Sequence, residues 1–251
     1  GEIRQLTYNS ANDEVETWSW DSQTIYFRSG RYNRTAAYTV SVQGGTPKRL
    51  FEHYFNWPHN LAIHPDGRVF FNESWESSNQ VHRKRYKGAF NPDIKTYNTK
   101  TGTYEELTDY EGKDMWSTID KNGNIYFASD ESNGQYNLYG FVNGTKTRLT
   151  NFNTSIKNPQ VNANGGFVVF EKDYQIHVYD VSRKRSQKVD ISVFKNNTLA
   201  QEQEFSTDGN ISEFDVSQDE KKLAFVSRGE LFVSDISGKF VKQLKTKPEE
   251  R

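Results

Sequence analysis

The chain repeats itself, and that repetition constrains its fold more than any other feature it has. Five segments share one layout: a turn rich in Asp, Asn or Gly, a short apolar strand, a polar turn, a further strand and a basic-apolar close. They read Trp20-Asp21-Ser22-Gln23-Thr24-Ile25-Tyr26-Phe27, His64-Pro65-Asp66-Gly67-Arg68-Val69-Phe70-Phe71, Asp120-Lys121-Asn122-Gly123-Asn124-Ile125-Tyr126-Phe127, Asn164-Gly165-Gly166-Phe167-Val168-Val169-Phe170 and Ser217-Gln218-Asp219-Glu220-Lys221-Lys222-Leu223-Ala224-Phe225. Measured at Ile25, Val69, Ile125, Phe167 and Leu223, the steps are 44, 56, 42 and 56 residues. The close recurs as Gln5-Leu6-Thr7, Lys48-Arg49-Leu50, Glu106-Leu107-Thr108, Arg148-Leu149-Thr150 and Lys242-Gln243-Leu244. Such a period, with insertions in two units, fits about 40–45 residues per four-stranded propeller blade. A β-sandwich with chance similarity among its turns is the competing fold, but the order of turn, strand pair and close is kept five times. The expectation is an all-β propeller of about five four-stranded blades, either a closed ring or a truncated six-bladed propeller plus one further blade.

Composition agrees. The hydrophobic share is 33%, yet aromatics reach 14%, so rings and β-branched residues must fill the core, and both suit pleated, half-buried surfaces. A blade packed on both faces needs aromatic wedges between neighbours. Gln43-Gly44-Gly45, Val142-Asn143-Gly144 and Ser237-Gly238 sit where a third strand must turn tightly into a fourth. The chain starts inside a closing strand, Ile3 to Thr7. Blades 1–4 are therefore expected within 1–188, an irregular connection over 189–212, and a fifth blade-like unit over 213–251. Asn196-Asn197 and Gln201-Glu202-Gln203-Glu204 mark that connection as polar.

Several function classes are disfavoured. With 32 Lys+Arg against 33 Asp+Glu there is no basic excess, so no nucleic-acid partner is expected. No apolar run approaches the roughly 18 residues of a membrane span, so no membrane is expected either. Cysteine is absent, which excludes disulfides and thiolate metal sites and says nothing about compartment. The chain opens on Gly1-Glu2-Ile3 without an initiator Met or signal peptide, as a trimmed chain would, so targeting information is expected to have been removed. No Gly-x-Ser-x-Gly elbow occurs, and His53, His59, His64, His82 and His177 show no metalloprotease spacing. His53, His59 and His64 lie close enough in sequence for a metal cluster, but packing beside Tyr54, Phe55 and Trp57 explains them better. Asp21, Asp66, Asp120 and Asp219 read as turn residues that hydrogen-bond their own backbone. Neither a catalytic residue nor a cofactor is expected.

Two segments carry the binding candidates. The insertion in the second unit runs Glu73-Ser74-Trp75-Glu76 and then His82-Arg83-Lys84-Arg85-Tyr86-Lys87-Gly88-Ala89-Phe90. Long loops on a regular scaffold often carry function, and a guanidinium pair, Arg83 with Arg85, can hold a peptide carboxylate by bidentate hydrogen bonds. Tyr86 lies beside them. The plainer alternative is a solvated basic loop balanced by Glu73, Glu76 and Asp93. The second segment, Asp109 to Trp116, places Trp116 as a wedge between blades, with Glu111 and Asp114 as candidates for the channel side.

The repeat, with its Asp-Gly turns and closing Arg-Leu-Thr, resembles propellers of TolB-like proteins, prolyl-oligopeptidase relatives and tricorn peptidases. Residues 82–94, 107–116 and 224–232 are more specific and are similar to the N-terminal propeller region of bacterial tricorn-type serine peptidases. In that family a six-bladed propeller precedes a seven-bladed one, then PDZ and serine-peptidase domains. The resemblance implies blades from the first propeller, an inter-propeller linker over Val189–Ser212, and the first blade of the second. It further implies a non-catalytic module that gates or guides peptides to a catalytic domain absent from these residues. Arg83, Arg85, Tyr86 and Trp116 are then the peptide-binding candidates. The implied partners are peptides and the rest of the parent peptidase, the implied setting is periplasmic or secreted, and a homo-oligomeric full-length protein is compatible with this. The alternative is a free-standing TolB-like propeller that serves as a protein–protein interaction scaffold.

Overall fold

Short runs of Ile, Val, Tyr and Phe between turn residues pair into meanders of four antiparallel strands, five times over. The computed structural model describes residues 3–32, 34–51, 57–142, 144–193 and 205–244. The first sheet holds β1 (Asp13–Trp18), β2 (Thr24–Tyr32), β3 (Arg34–Ser41) and β4 (Lys48–Arg49). The second holds β5 (His59–Ile63), β6 (Arg68–Asn72), β7 (Lys95–Asn98) and β8 (Thr103–Glu106), with a one-turn helix α1 (Trp75–Asn79) between β6 and β7. The third comprises β9 (Asp114–Ile119), β10 (Ile125–Ser129), β11 (Asn137–Val142) and β12 (Thr145–Arg148). The fourth comprises β13 (Ile156–Val161), β14 (Phe167–Lys172), β15 (Gln175–Asp180) and β16 (Arg185–Lys188). The fifth comprises β17 (Ile211–Val216), β18 (Lys222–Ser227), β19 (Glu230–Asp235) and β20 (Val241–Gln243). This is the expected β-propeller blade, repeated. The chain separates into two compact units, Gly1–Ile191 with the first four sheets and Ser192–Arg251 with the fifth.

Within the first unit the leading strand of each sheet packs on the leading strand of the next: β1 on β5, β5 on β9, β9 on β13. The second strand of each blade explains why its apolar run is continuous rather than alternating. Successive side chains point to opposite faces, and in β2, β6 and β10 both faces are covered. Tyr26 goes to the cluster with Phe51, Leu61 and Phe71, while Ile25 and Phe27 go to the other face. Val69 and Phe71 face the first sheet and Phe70 the third. Ile125 and Phe127 face the second sheet, and Tyr126 and Ala128 the fourth. In β14, Val168 and Phe170 complete the cluster with Met115, Trp116 and Tyr136. Its alternate residues Phe167 and Val169 are 46% and 39% exposed.

The recurring close has a packing reason. Leu50, Leu107 and Leu149 each insert into the cluster between their own sheet and the next. The threonine that follows satisfies backbone in two blades: Thr108 Oγ1 accepts from Ile94 N and Thr150 Oγ1 from Leu138 N, each at 2.9 Å. Those hydroxyls donate in turn to Asp93 Oδ1 (3.1 Å) and Asn137 Oδ1 (3.0 Å). Turn carboxylates behave as turn chemistry requires. Asp21, Asp66, Asp120 and Asp219 accept from the backbone N–H two residues on, at 3.0, 2.9, 2.8 and 3.2 Å.

Residues 3–9 depart from expectation, because they form no strand. Arg4 donates to Gln43 O at 2.6 Å, Gln5 to Thr7 O, and Leu6 packs on the Ile25–Phe27–Tyr38 face of the first sheet. Strand propensity there is not matched by a ladder partner among the described residues. Asn143, His53 with Tyr54 and Phe55, and the polar runs at 196–197 and 201–204 lie outside the described residues.

Candidate functional site

The long insertion between β6 and β7 is anchored from beneath by a buried ion cluster. Ser74 caps α1, accepting from Ser77 N at 3.2 Å, and the helix turns Glu76 inward until its side chain is fully covered. Lys113, also fully covered, approaches within 2.5 Å of Glu76 Oε1 and donates to Gln80 O at 2.7 Å. Arg83 closes the cluster from the solvent side, donating Nε to Glu76 Oε1 at 2.8 Å and a second guanidinium nitrogen to Oε2. Burial alone raises a carboxyl, but the two cations outweigh it and hold Glu76 below its ordinary range.

That anchor redistributes the basic residues. The Arg83 guanidinium engages Glu76, whereas Arg85 is held against the third blade through its backbone N–H. A buried carboxylate requires a countercharge, and Arg83 supplies it. Arg83 also lies over the Tyr86 ring, 4.2 Å from its centroid. Tyr86 folds back on its own loop: its hydroxyl accepts from Phe90 N at 3.3 Å, and its ring leaves no room for a Cβ on Gly88. The N–H of Arg85 donates to Asp130 Oδ2 at 3.0 Å, and its side chain lies against Gly134. Of the expected balancing acids, Glu76 does take Arg83, whereas Glu73 pairs with Lys95 at 2.6 Å. Glu111 meets Lys87. Asp114, expected on the channel side, is fully buried, with its Oδ2 2.8 Å from Lys146 Nζ.

Residues 81–87 therefore divide between two clefts. The first, about 590 Å³, is lined by Val81, His82 and Lys84 from the insertion, Trp116 and Tyr136 from the third blade, and Tyr174 from the β14–β15 turn. The second, about 330 Å³, takes Arg85 and Lys87 together with Tyr110, Asp130 and Glu131. Trp116 is only 9% exposed and meets Tyr136 edge-on, with centroids 5.7 Å apart. It belongs to the cluster between the third and fourth sheets. Lys84 Nζ donates to Gln135 Oε1 at 2.8 Å, and Lys157 Nζ lies 5.5 Å from the Tyr174 ring.

Sequence reasoning passed over one feature here. Each leading strand carries a β-bulge, and in β5, β9 and β13 the bulge holds a left-handed residue: Asn60 (φ 55°), Trp116 (φ 58°) and Asn158 (φ 46°). Asparagine enters that region readily, while a bulky ring there costs about 1–2 kcal/mol. Aligning the repeats on their leading strands exposes the exception. Of the histidines read as packing residues, His59 and His64 lie among the described residues. His59 is buried, with Nδ1 2.9 Å from Trp57 O and Nε2 2.8 Å from Ser77 Oγ. Burial pushes its pKa down to about 4, so the neutral ring serves as a structural link between β5 and α1. His64 stacks on Phe70 and contacts Asp66 in its own turn.

Comparison with known proteins places this geometry. A Tricorn protease homolog from Saccharolobus solfataricus is 27% identical over 239 residues, which cover 93% of this chain and 21% of that protein. TolB from Acinetobacter baumannii superposes with a TM-score of 0.58 at 18% identity, over 91% of this chain and 53% of that one. The chain thus spans about a fifth of the curated relative and about half of that TolB, and the likeness to TolB shows the fold alone. The model of the tricorn protease N-terminal β-propeller domain matches residues 1–185, so the chain belongs to that family.

Proposed function

We propose that this chain is the non-catalytic propeller module of a tricorn-type serine peptidase, and that it guides or gates peptides on their way to a catalytic domain outside these residues. The observation that carries this reading is the basic segment 82–87, held on the buried Glu76–Lys113 anchor and aimed into two clefts. A preorganised cation at a cleft mouth binds a carboxylate with little ordering cost. Because Arg83 is occupied by Glu76, a peptide's C-terminal carboxylate is met by Lys84 at the first cleft or by Arg85 at the second. The remaining domains of the parent protein are the partners this role requires.

Calorimetric titration with short peptides bearing free or amidated C-termini tests this. A charged hydrogen bond is worth about 1.5–3 kcal/mol, so amidation should weaken binding by roughly ten- to a hundredfold. A Lys84→Ala/Arg85→Ala variant should lose the same increment while keeping its fold, since Arg83 is untouched. Absence of binding in every form would favour a TolB-like interaction scaffold instead.

A further inference from the structure

Two aromatic residues at the first cleft occupy backbone that other repeats give to different residue types. The bulge position filled by Trp116 holds Asn60 in β5 and Asn158 in β13, all three left-handed. The second case is the β14–β15 hairpin, whose two-residue turn is Asp173-Tyr174, with φ of 51° and 59°. The equivalent two-residue turn of β18–β19 is Arg228-Gly229, with φ of 53° and 78°. Such turns need positive φ at both positions, which is why glycine suits the second. Trp116 and Tyr174 are therefore both strained where the repeat offers an unstrained residue. They lie far apart in sequence and line the same cleft. Strain of this kind persists where side-chain position matters to a ligand.

We propose that this cleft is a side-chain subsite that selects peptides carrying an apolar, preferentially aromatic, residue at the C-terminus. This rests on the peptide-guiding reading and adds a specificity to it. The guest side chain sits between the Tyr174 ring, which is 82% exposed, and a floor of Trp116 and Tyr136. Offset or edge-on ring contacts favour aromatics over alkyl groups. Lys84, at the same cleft, meets the terminal carboxylate. The two carboxylates of the lining already have lysine partners, Glu171 with Lys157 at 3.4 Å and Asp173 with Lys172. A C-terminal lysine therefore gains nothing there, and the expected order is Phe, then Leu, then Ala and Lys together.

The test is calorimetry of acetyl-Ala-Ala-Phe, -Leu, -Ala and -Lys with the 251-residue chain and with its Tyr174→Gly and Tyr174→Phe variants. The Phe peptide should bind about tenfold more tightly than the Ala peptide. Tyr174→Gly should erase that advantage without changing the affinity for the Ala peptide, and its thermal midpoint should equal or exceed that of the parent because the turn relaxes. Tyr174→Phe should retain the preference. Trp116→Asn, which restores the residue used in β5 and β13, should also lose the preference, but it empties part of a core, so Tyr174→Gly decides. Equal affinity for all four peptides, or a Phe preference untouched by Tyr174→Gly, overturns the subsite and leaves peptide guiding intact. Failure of every peptide to bind overturns both.

Discussion

Replacing Asp93 by Asn should stabilise the protein at neutral and alkaline pH, and the third blade shows why. Asp93 and Asn137 hold equivalent places at the entry to their blades' third strands, and each accepts from the threonine of the close. Asn137 completes its bonds with an amide: Oδ1 also accepts from Phe152 N at 2.7 Å, and Nδ2 reaches Gln135 O and Phe152 O. Asp93 has a carboxyl in that setting. Burial raises its pKa, and the negative charges of Asp114 and Glu106 add to the effect. Hydrogen bonds from Thr108 and the Tyr110 backbone pull the other way, and the outcome is about 7 against an ordinary 3.8.

The sign follows directly. With the folded pKa above the unfolded one, the folded state holds the extra proton. The contribution is fully present below about pH 3.8 and lost as pH rises through about 7. The full span is about 4 kcal/mol, of which about 2.5 falls between pH 5 and 8. His59 acts in the opposite direction over an overlapping range, so the quantity to read is variant minus parent at each pH. Urea unfolding at pH 5, 6, 7 and 8 should show the Asp93→Asn advantage growing by about 2.5 kcal/mol across that range. A pH-independent difference, or a variant less stable than the parent at pH 8, would refute the reasoning.

Three further outcomes follow from the same physics. Because His59 has its pKa pushed down to about 4, its contribution is present above about pH 6.5 and lost as pH falls through 4. His59→Gln should remove about 3 kcal/mol of acid destabilisation, read as the change in urea midpoint between pH 7 and 4. Glu76→Gln leaves Lys113 buried without a countercharge and should cost about 3–5 kcal/mol, with faster proteolysis within 82–87 as its companion sign. Thr150→Val strips the acceptor from the buried Leu138 N–H and should cost about 1–3 kcal/mol by thermal or urea unfolding.

How much was legible beforehand depended on the range of the interaction. Turn carboxylates such as Asp66 and Asp120 bond within four residues, so local composition reveals them. Continuous runs such as Ile125-Tyr126-Phe127 and the recurring closing leucine imply sheets buried on both faces, and Leu107 and Leu149 fill the cores that follow from that. Arg83 shows the limit, because its partner Glu76 is turned inward by a single helical turn that also meets Lys113, thirty-odd residues on. No spacing rule anticipates such a triad. Residues 3–9 show another, since strand propensity without a ladder partner among the described residues leaves a segment held by Leu6 packing and the Arg4–Gln43 hydrogen bond. The equivalence of Asp93 with Asn137, and of Trp116 with Asn60 and Asn158, was available from the repeats but emerges only once strand register fixes the alignment.

Photo-crosslinking asks whether peptides are received at the clefts beside 82–87. A tripeptide with a C-terminal benzoylphenylalanine and a free carboxylate would be irradiated with the chain and the adducts mapped by mass spectrometry. Adducts should be confined to the 81–87 segment, Trp116 and the 171–174 turn, competed away by the unlabelled peptide and reduced in Lys84→Ala/Arg85→Ala. Adducts scattered over the surface, or concentrated elsewhere and indifferent to that variant, would contradict it.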